Sequence, residues 1–301
     1  MSPHDAENAP GGSKKSKGGS SPSGGAFAAL GLSHPVLQGI RRLGYRTPTP
    51  VQRRSLPAVL GGNDVVVMAR TGSGKTAAFL IPVMERLLAR KERMEESGGS
   101  MEAAAAGLSG GAGVGAVVLS PTRELSQQTL RVLRKLASDA PITAVGINGG
   151  ESMEKQFSLL SSRPDVIVAT PGRLAHHLSE IPDFDLQRCE VLVLDEADRL
   201  FELGFAAQMR EICSSMPSPE RGRQTLLFSA TLPKVLVEFT RSGAMGTEPD
   251  VVRLDEEATV SDELRIGFVT CRSEEKDAAL LHLLRDVLPG SGAAGEQRQS
   301  S

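Results

Sequence analysis

The octet Ala69-Arg70-Thr71-Gly72-Ser73-Gly74-Lys75-Thr76 sets two glycines, a lysine and a hydroxyl at the spacing that a chain of phosphates requires. Gly72 and Gly74 let backbone N–H groups approach phosphate oxygens, and a helix opening at the lysine adds its positive dipole end. Lys75 would reach the outer phosphates, while Thr76 would place its hydroxyl on a Mg²⁺ ion bridging them, as the pattern G-x-x-x-x-G-K-[S/T] implies. Position one is Ala69 instead of glycine, so the surroundings decide: the apolar run Val65 to Met68 enters the loop and a helical Ala77-Ala78-Phe79-Leu80 leaves it. A second tip follows Val191-Leu192-Val193-Leu194. There Asp195 would hold the Mg²⁺ and Glu196 would orient and deprotonate a water attacking the terminal phosphate; an acidic helix start serving only the dipole is the alternative. Gln52 carries an amide that donates and accepts together, which suits the adenine edge bearing N6 and N7; a surface glutamine on a helix is the plain alternative.

These residues must be placed by something rigid. Strand-like runs at 64–68, 115–119, 142–147, 165–169, 190–194, 224–228 and 250–254 alternate with helical stretches near 75–96, 122–138, 152–161, 171–180, 205–215 and 233–241. Short β-branched runs alternating with helices predict a mostly parallel sheet covered on both faces, with ligands beyond the carboxyl ends of the strands. Before it, residues 27–61 show helical apolar spacing (Val36, Leu37, Ile40, Leu43), and Pro50 is placed to start a second helix. Residues 1–25, rich in Gly and Ser with Lys14, Lys15 and Lys17, read as a disordered tail, and residues 97–114 as a flexible Gly/Ala/Ser insertion.

The 301 residues carry a formal net charge of −2, so bulk charge gives no argument for a nucleic-acid partner and any such site must be local. One Tyr and no Trp argue against a broad aromatic platform for stacking single-stranded bases, and point to backbone contacts as the mode. Cys189, Cys213 and Cys271 lack metal-ligand spacing and read as buried small residues in a reducing compartment. No stretch is long and apolar enough to span a bilayer.

The ordered motifs Phe27, 44–52, 69–76, Pro121-Thr122-Arg123-Glu124-Leu125, Gly149-Gly150, Thr170-Pro171-Gly172-Arg173, Asp195-Glu196-Ala197-Asp198 and Ser229-Ala230-Thr231 resemble the DEAD-box ATP-dependent RNA helicases over about residues 26–290. In that family alanine is usual where Ala69 stands. The resemblance implies a RecA-like P-loop NTPase lobe over 26–258 using ATP and Mg²⁺, with Phe27 stacking on adenine and Gln52 reading its edge. It implies that Arg123, Gly149, Gly150, Thr170, Gly172 and Arg173 grip RNA phosphates and sugars without reading sequence, and that Ser229 and Thr231 bond Asp198 to couple nucleotide state to that grip. Ser126 stands where the family more often has a small apolar residue. Arg70, the run Asp198 to Phe205 and Leu232-Pro233-Lys234 look like the nucleolar branch that assembles the large ribosomal subunit, which implies a nuclear, nucleolar setting among pre-ribosomal proteins. Residues 259–301 resemble a linker and the truncated start of a second RecA-like lobe, needed in cis, so that this chain alone is expected to be nearly inactive. A single-lobe ATP- or RNA-binding assembly module and, further off, a DNA translocase are the alternatives.

Overall fold

Runs such as Val65-Val66-Val67 and Val166-Ile167-Val168 disfavour helix at χ1 and suit a sheet buried on both sides. The computed structural model describes residues 26–96, 113–246, 248–254 and 269–287. In it the strands are β1 (Val65–Met68), β2 (Ala116–Leu119), β3 (Ala144–Ile147), β4 (Val166–Ala169), β5 (Val191–Leu194), β6 (Gln224–Ser229) and β7 (Asp250–Arg253). They form one parallel sheet in the order β3-β4-β2-β5-β6-β1-β7. The α/β, RecA-like expectation is therefore met. Registers are level: Leu119 pairs with Ala169 and Leu194, and Met68 with Ser229. The loops after β1 to β6 consequently emerge along one edge.

Alternation along each strand divides the interior into two cores. Val65 and Val67 face α1 (His34–Arg42), α2 (Pro50–Leu60), α3 (Lys75–Glu96) and α4 (Arg123–Leu136). Val66 and Leu227 face the other side. That layer is built from α5 (Met153–Ser161), α6 (Pro171–Glu180), α7 (Ala197–Glu202), α8 (Ala206–Ser214) and α9 (Lys234–Phe239). The crossing of α1 and α4 is close: a side chain at Gly39 would run into the backbone carbonyl of Leu136. Helix α4 shows how its boundary is written: Thr122 caps Leu125 N–H at 3.3 Å, Glu124 sits in the first turn and Arg134 and Lys135 in the last.

Most sequence boundaries hold within two residues, and α7 is the element the sequence reading lacks. Six residues are too few for a helical period to show. Of the cysteines, only Cys189 is fully buried, its thiol pushed up to about 12 by burial, whereas Cys213 and Cys271 are partly buried; the expectation of three buried thiols is corrected there, because Cys213 on α8 only packs against the edge of the core that encloses Cys189, and Cys271 lies beyond Leu254. Ser126 is fully buried and its hydroxyl bonds the Val168 carbonyl at 3.3 Å, so the hydroxyl finds a partner inside the core. No described helix is long and apolar enough to cross a membrane.

The contacts divide the chain at Leu254. Beyond it the described residues carry a 3₁₀ turn at Ser273–Glu275 running into α10 (Lys276–His282) and a wider turn at Leu283–Val287. The tail at 1–25, residues 97–112 of the expected insertion, and residues 259–268 and 288–301 of the expected second-lobe start lie outside the described residues.

Candidate functional site

Six loops meet at the common strand edge. The first leaves β1, with the Ala69 N–H held by the Ser229 carbonyl at 3.0 Å. Gly72 and Gly74 both have positive φ, 81° and 98°, where a Cβ is strained. They differ in what surrounds them. A Cβ on Gly74 would lie 2.7 Å from Gln52 Nε2 and 2.8 Å from Thr49 Oγ1, while nothing stands within 4 Å of one on Gly72. Gly74 permits close packing beneath the loop, and Gly72 leaves a clear cradle above it. The loop ends where α3 begins, at Lys75. That side chain is 5% exposed, donates to the Ala69 carbonyl at 3.0 Å and pairs with Glu196 Oε1 at 3.0 Å. Arg70 and Thr71 at the loop's crest are exposed.

The second loop leaves β5, tied to β2 by the Asp195 N–H on the Leu119 carbonyl at 2.9 Å. Glu196 takes φ 48°, a left-handed conformation uncommon outside glycine, which turns the chain sharply from strand into α7. Asp195 and Glu196 are both buried. Burial, and then the neighbouring Glu196 charge, push the Asp195 carboxyl up to about 7, against the pull of Lys75.

The third loop, after β6, joins the first two. Thr231 donates to Asp198 Oδ2 through both N–H and hydroxyl at 2.9 Å, and the Asp198 N–H donates to Ser229 Oγ at 3.1 Å. Burial opposes ionisation of Asp198, yet the hydrogen bonds from Thr231 and Ser229 outweigh it and hold the carboxyl below the usual range. Since the Ser229 carbonyl also holds Ala69, one residue is bonded to both the phosphate-type loop and the acidic tip.

The cradle fits a nucleotide triphosphate with its metal. The Ser73 hydroxyl is buried without a hydrogen-bond partner, the space over Gly72 is open, and two buried carboxylates face a single ammonium. Among the described residues no cluster of three or more His, Cys, Asp or Glu stands ready for a metal. One carboxylate, Asp195, and one hydroxyl, Thr76, form the sparse donor set that suits Mg²⁺ arriving on phosphates rather than caged by protein. Held there, Mg²⁺ would neutralise charge on a bound triphosphate.

The adenine candidates are both buried. Phe27 is 3% exposed and lines a cavity of about 420 Å³ with Leu37, Ile40, Gly44, Tyr45 and Arg46. The Gln52 amide is already engaged: Nε2 donates to the Gly74 carbonyl and Oε1 accepts from the Thr49 N–H, each at 3.0 Å. It props the phosphate-type loop on the start of α2 with one N–H and one oxygen lone pair, and a base edge would use the second of each.

The remaining candidates follow the three neighbouring strands β2, β3 and β4. Arg123 opens α4 and is exposed; a side chain on Gly150, at φ 81°, would strike its guanidinium. Gly149 faces open space, Gly172 has only Phe205 near, and Thr170 precedes α6 without a side-chain capping bond. Arg173 is turned onto α5, donating to Met153 Sδ. The strand order thus gathers these residues over one half of the edge and the phosphate-type loop, the acidic tip and the Ser229 loop over the other.

The description "DEAD/DEAH box helicase" matches residues 49–239, the segment that carries all but Phe27 of these groups. The chain belongs to this family. Among curated DEAD/DEAH box relatives it is 47% identical over 264 residues to "ATP-dependent RNA helicase DDX54" of Mus musculus, covering 88% of this chain and 28% of that protein. It is 46% identical over 272 residues to "ATP-dependent RNA helicase DBP10" of Coccidioides immitis, covering 90% and 27%. It therefore spans just over a quarter of the length of the curated relatives it matches. A solved DEAD box protein from Methanococcus jannaschii superposes with TM-score 0.64 at 28% identity over 87% of this chain and 63% of that one. A hypothetical ATP-dependent RNA helicase from Sulfolobus tokodaii gives 0.61 at 29% over 74% and 57%.

In this helicase-family lobe two features escape a reading of sequence. The Lys75–Glu196 pair joins residues 121 apart in the chain, and no local pattern announces it. A buried polar chain of Asn148, Gln156 and His177 sits below the loops after β3 and β4. The sole sequence signal for it is polar residues at helical positions that otherwise point inward.

Proposed function

We propose that the protein is an ATP-dependent RNA helicase of which this chain supplies the ATP-binding lobe. ATP is held over Gly72 by the 70–76 loop, with Phe27 and Gln52 at the base. Thr76 and Asp195 hold the Mg²⁺, and Glu196 takes the proton of the attacking water. RNA lies across Arg123, Gly149, Gly150, Thr170, Gly172 and Arg173 through phosphates and sugars, so duplexes are opened locally without sequence preference. Asp198, Ser229 and Thr231 couple the two halves. A second lobe, in cis, completes the catalytic site. The work is nucleolar assembly of the large ribosomal subunit, among pre-ribosomal proteins, a setting that the finer resemblance of Arg70, 198–205 and 232–234 supports.

The observation that carries this reading is the bonding at Ser229, which ties the loop that would hold phosphate to the acidic tip that would activate water. The test is ATP binding and RNA-stimulated hydrolysis by the full-length protein. Glu196→Gln is expected to bind ATP at least as tightly as the parent and to lose at least about 100-fold in turnover, as removal of a general base does. Turnover unchanged in that variant would sink the reading.

A further inference from the structure

Histidine is a costly residue to bury where an aliphatic side chain would pack. His177 lies in α6 with no exposed surface, and its Nδ1 has no hydrogen-bond partner. Its other nitrogen is spent on one contact, Nε2 to Gln156 Oε1 at 2.7 Å. Gln156, equally buried in α5, sends its Nε2 to the backbone carbonyl of Asn148 at 2.6 Å. A carbonyl only accepts, so the amide orientation is forced: Nε2 faces Asn148 and Oε1 faces the ring. His177 must then carry its proton on Nε2. Burial, with the Arg173 and His176 charges, holds the imidazole below its ordinary pKa and so in this neutral, donating form.

The two ends of this bridge matter. Asn148 immediately precedes Gly149-Gly150, and His177 rides the helix whose first turn carries Gly172 and Arg173. Arg173 makes a second link across the same gap, to Met153 at the start of α5. Two glycines in succession have no side chains with which to fix their loop, so the Asn148 carbonyl is the anchor nearest to them. We propose that His177 is a positioning residue: through Gln156 it pins the Gly149-Gly150 loop at a fixed distance from the start of α6, so that both meet consecutive RNA phosphates as one surface. This rests on the RNA reading above and extends it to a residue that touches no RNA.

The test compares His177→Met, which keeps bulk and loses the donor, with His177→Gln, whose Nε2 can donate from nearly the same place. In the full-length protein, Met is expected to speed amide exchange at residues 149 and 150 roughly tenfold, as loss of one buried partner does, and to weaken single-stranded RNA binding several-fold. ATP affinity stays unchanged, and Gln restores both properties. Faster exchange with unaltered RNA affinity overturns the proposal and faults the RNA reading as well. Unaltered exchange overturns the bridge alone, whatever RNA does. Should the Met variant not fold, the imidazole ¹⁵N spectrum of the unmodified protein decides: a neutral ring protonated at Nε2 is expected at pH 7, and an Nδ1–H tautomer or a charged ring overturns the proposal.

Discussion

Asp195 is held at about 7 in the folded chain against 3.8 as its ordinary value, because burial and Glu196 both disfavour a second negative charge there. Between those values the native state keeps a proton that the unfolded chain has released, so this group makes stability fall as pH rises from about 4 to about 7. Asp195→Asn removes that slope. The nucleotide-free variant is expected to be more stable than the parent by on the order of 1–3 kcal/mol at pH 8 and no different at pH 4; urea melts across that range measure it. Asp198 runs the other way. Its carboxyl is held low by Thr231 and Ser229, so its contribution is present at neutral pH and lost on acidification below the ordinary carboxylate range. Thr231→Val removes one of those bonds and is expected to cost about 1 kcal/mol at pH 7. RNA stimulation of ATPase should drop further than basal turnover, which rates measured with and without RNA would reveal.

At the scale of elements, backbone approach is what side-chain patterns cannot show. Helices α1 and α4 meet at Gly39, where any Cβ would collide with a main-chain carbonyl. A main-chain carbonyl at the end of a packed helix does not yield as a flexible side chain does. Gly39→Ala is expected to lower the thermal midpoint by roughly 4–8 °C, about 2 kcal/mol of overpacking in a domain this size, without altering nucleotide affinity. The strands and most helices were legible because β-branched runs and apolar periods are local signals, and the phosphate-type loop because its glycines and lysine stand within eight residues. Helix α7 was not, being short and placed by the left-handed turn at Glu196 rather than by its own composition. Nor was the present engagement of Gln52, whose partners Gly74 and Thr49 lie on opposite sides of it in the chain. The His177 bridge needed the fold to bring three separate polar residues together.

At the scale of the whole molecule, the proposed reading puts a nucleotide half and an RNA half along one sheet edge, and a second lobe would bring a cationic group to the outer side of the phosphates. A charge supplied there in trans or cis is worth about 10³ to 10⁵ in phosphoryl-transfer turnover. Residues 1–301 alone are therefore expected to hydrolyse ATP at least about 1,000-fold more slowly than a polypeptide continuing through the second lobe, compared at saturating RNA and ATP. Equal rates would favour a self-sufficient single lobe.

If the nucleotide binds as proposed, the 3.0 Å contact between Lys75 and Glu196 makes its entry an ion exchange. Before ATP arrives, the lysine that should greet a phosphate is already neutralised by the carboxylate that should greet a water. An incoming triphosphate is thus weighed against a resident anion, and measured affinity reports the difference between two ion pairs. The same swap frees the carboxylate only in a molecule that has just acquired something to hydrolyse. Neutralising the resident anion in Glu196→Gln should accordingly tighten ATP binding by several-fold even as it abolishes turnover, an inversion that titration with a fluorescent nucleotide would read directly.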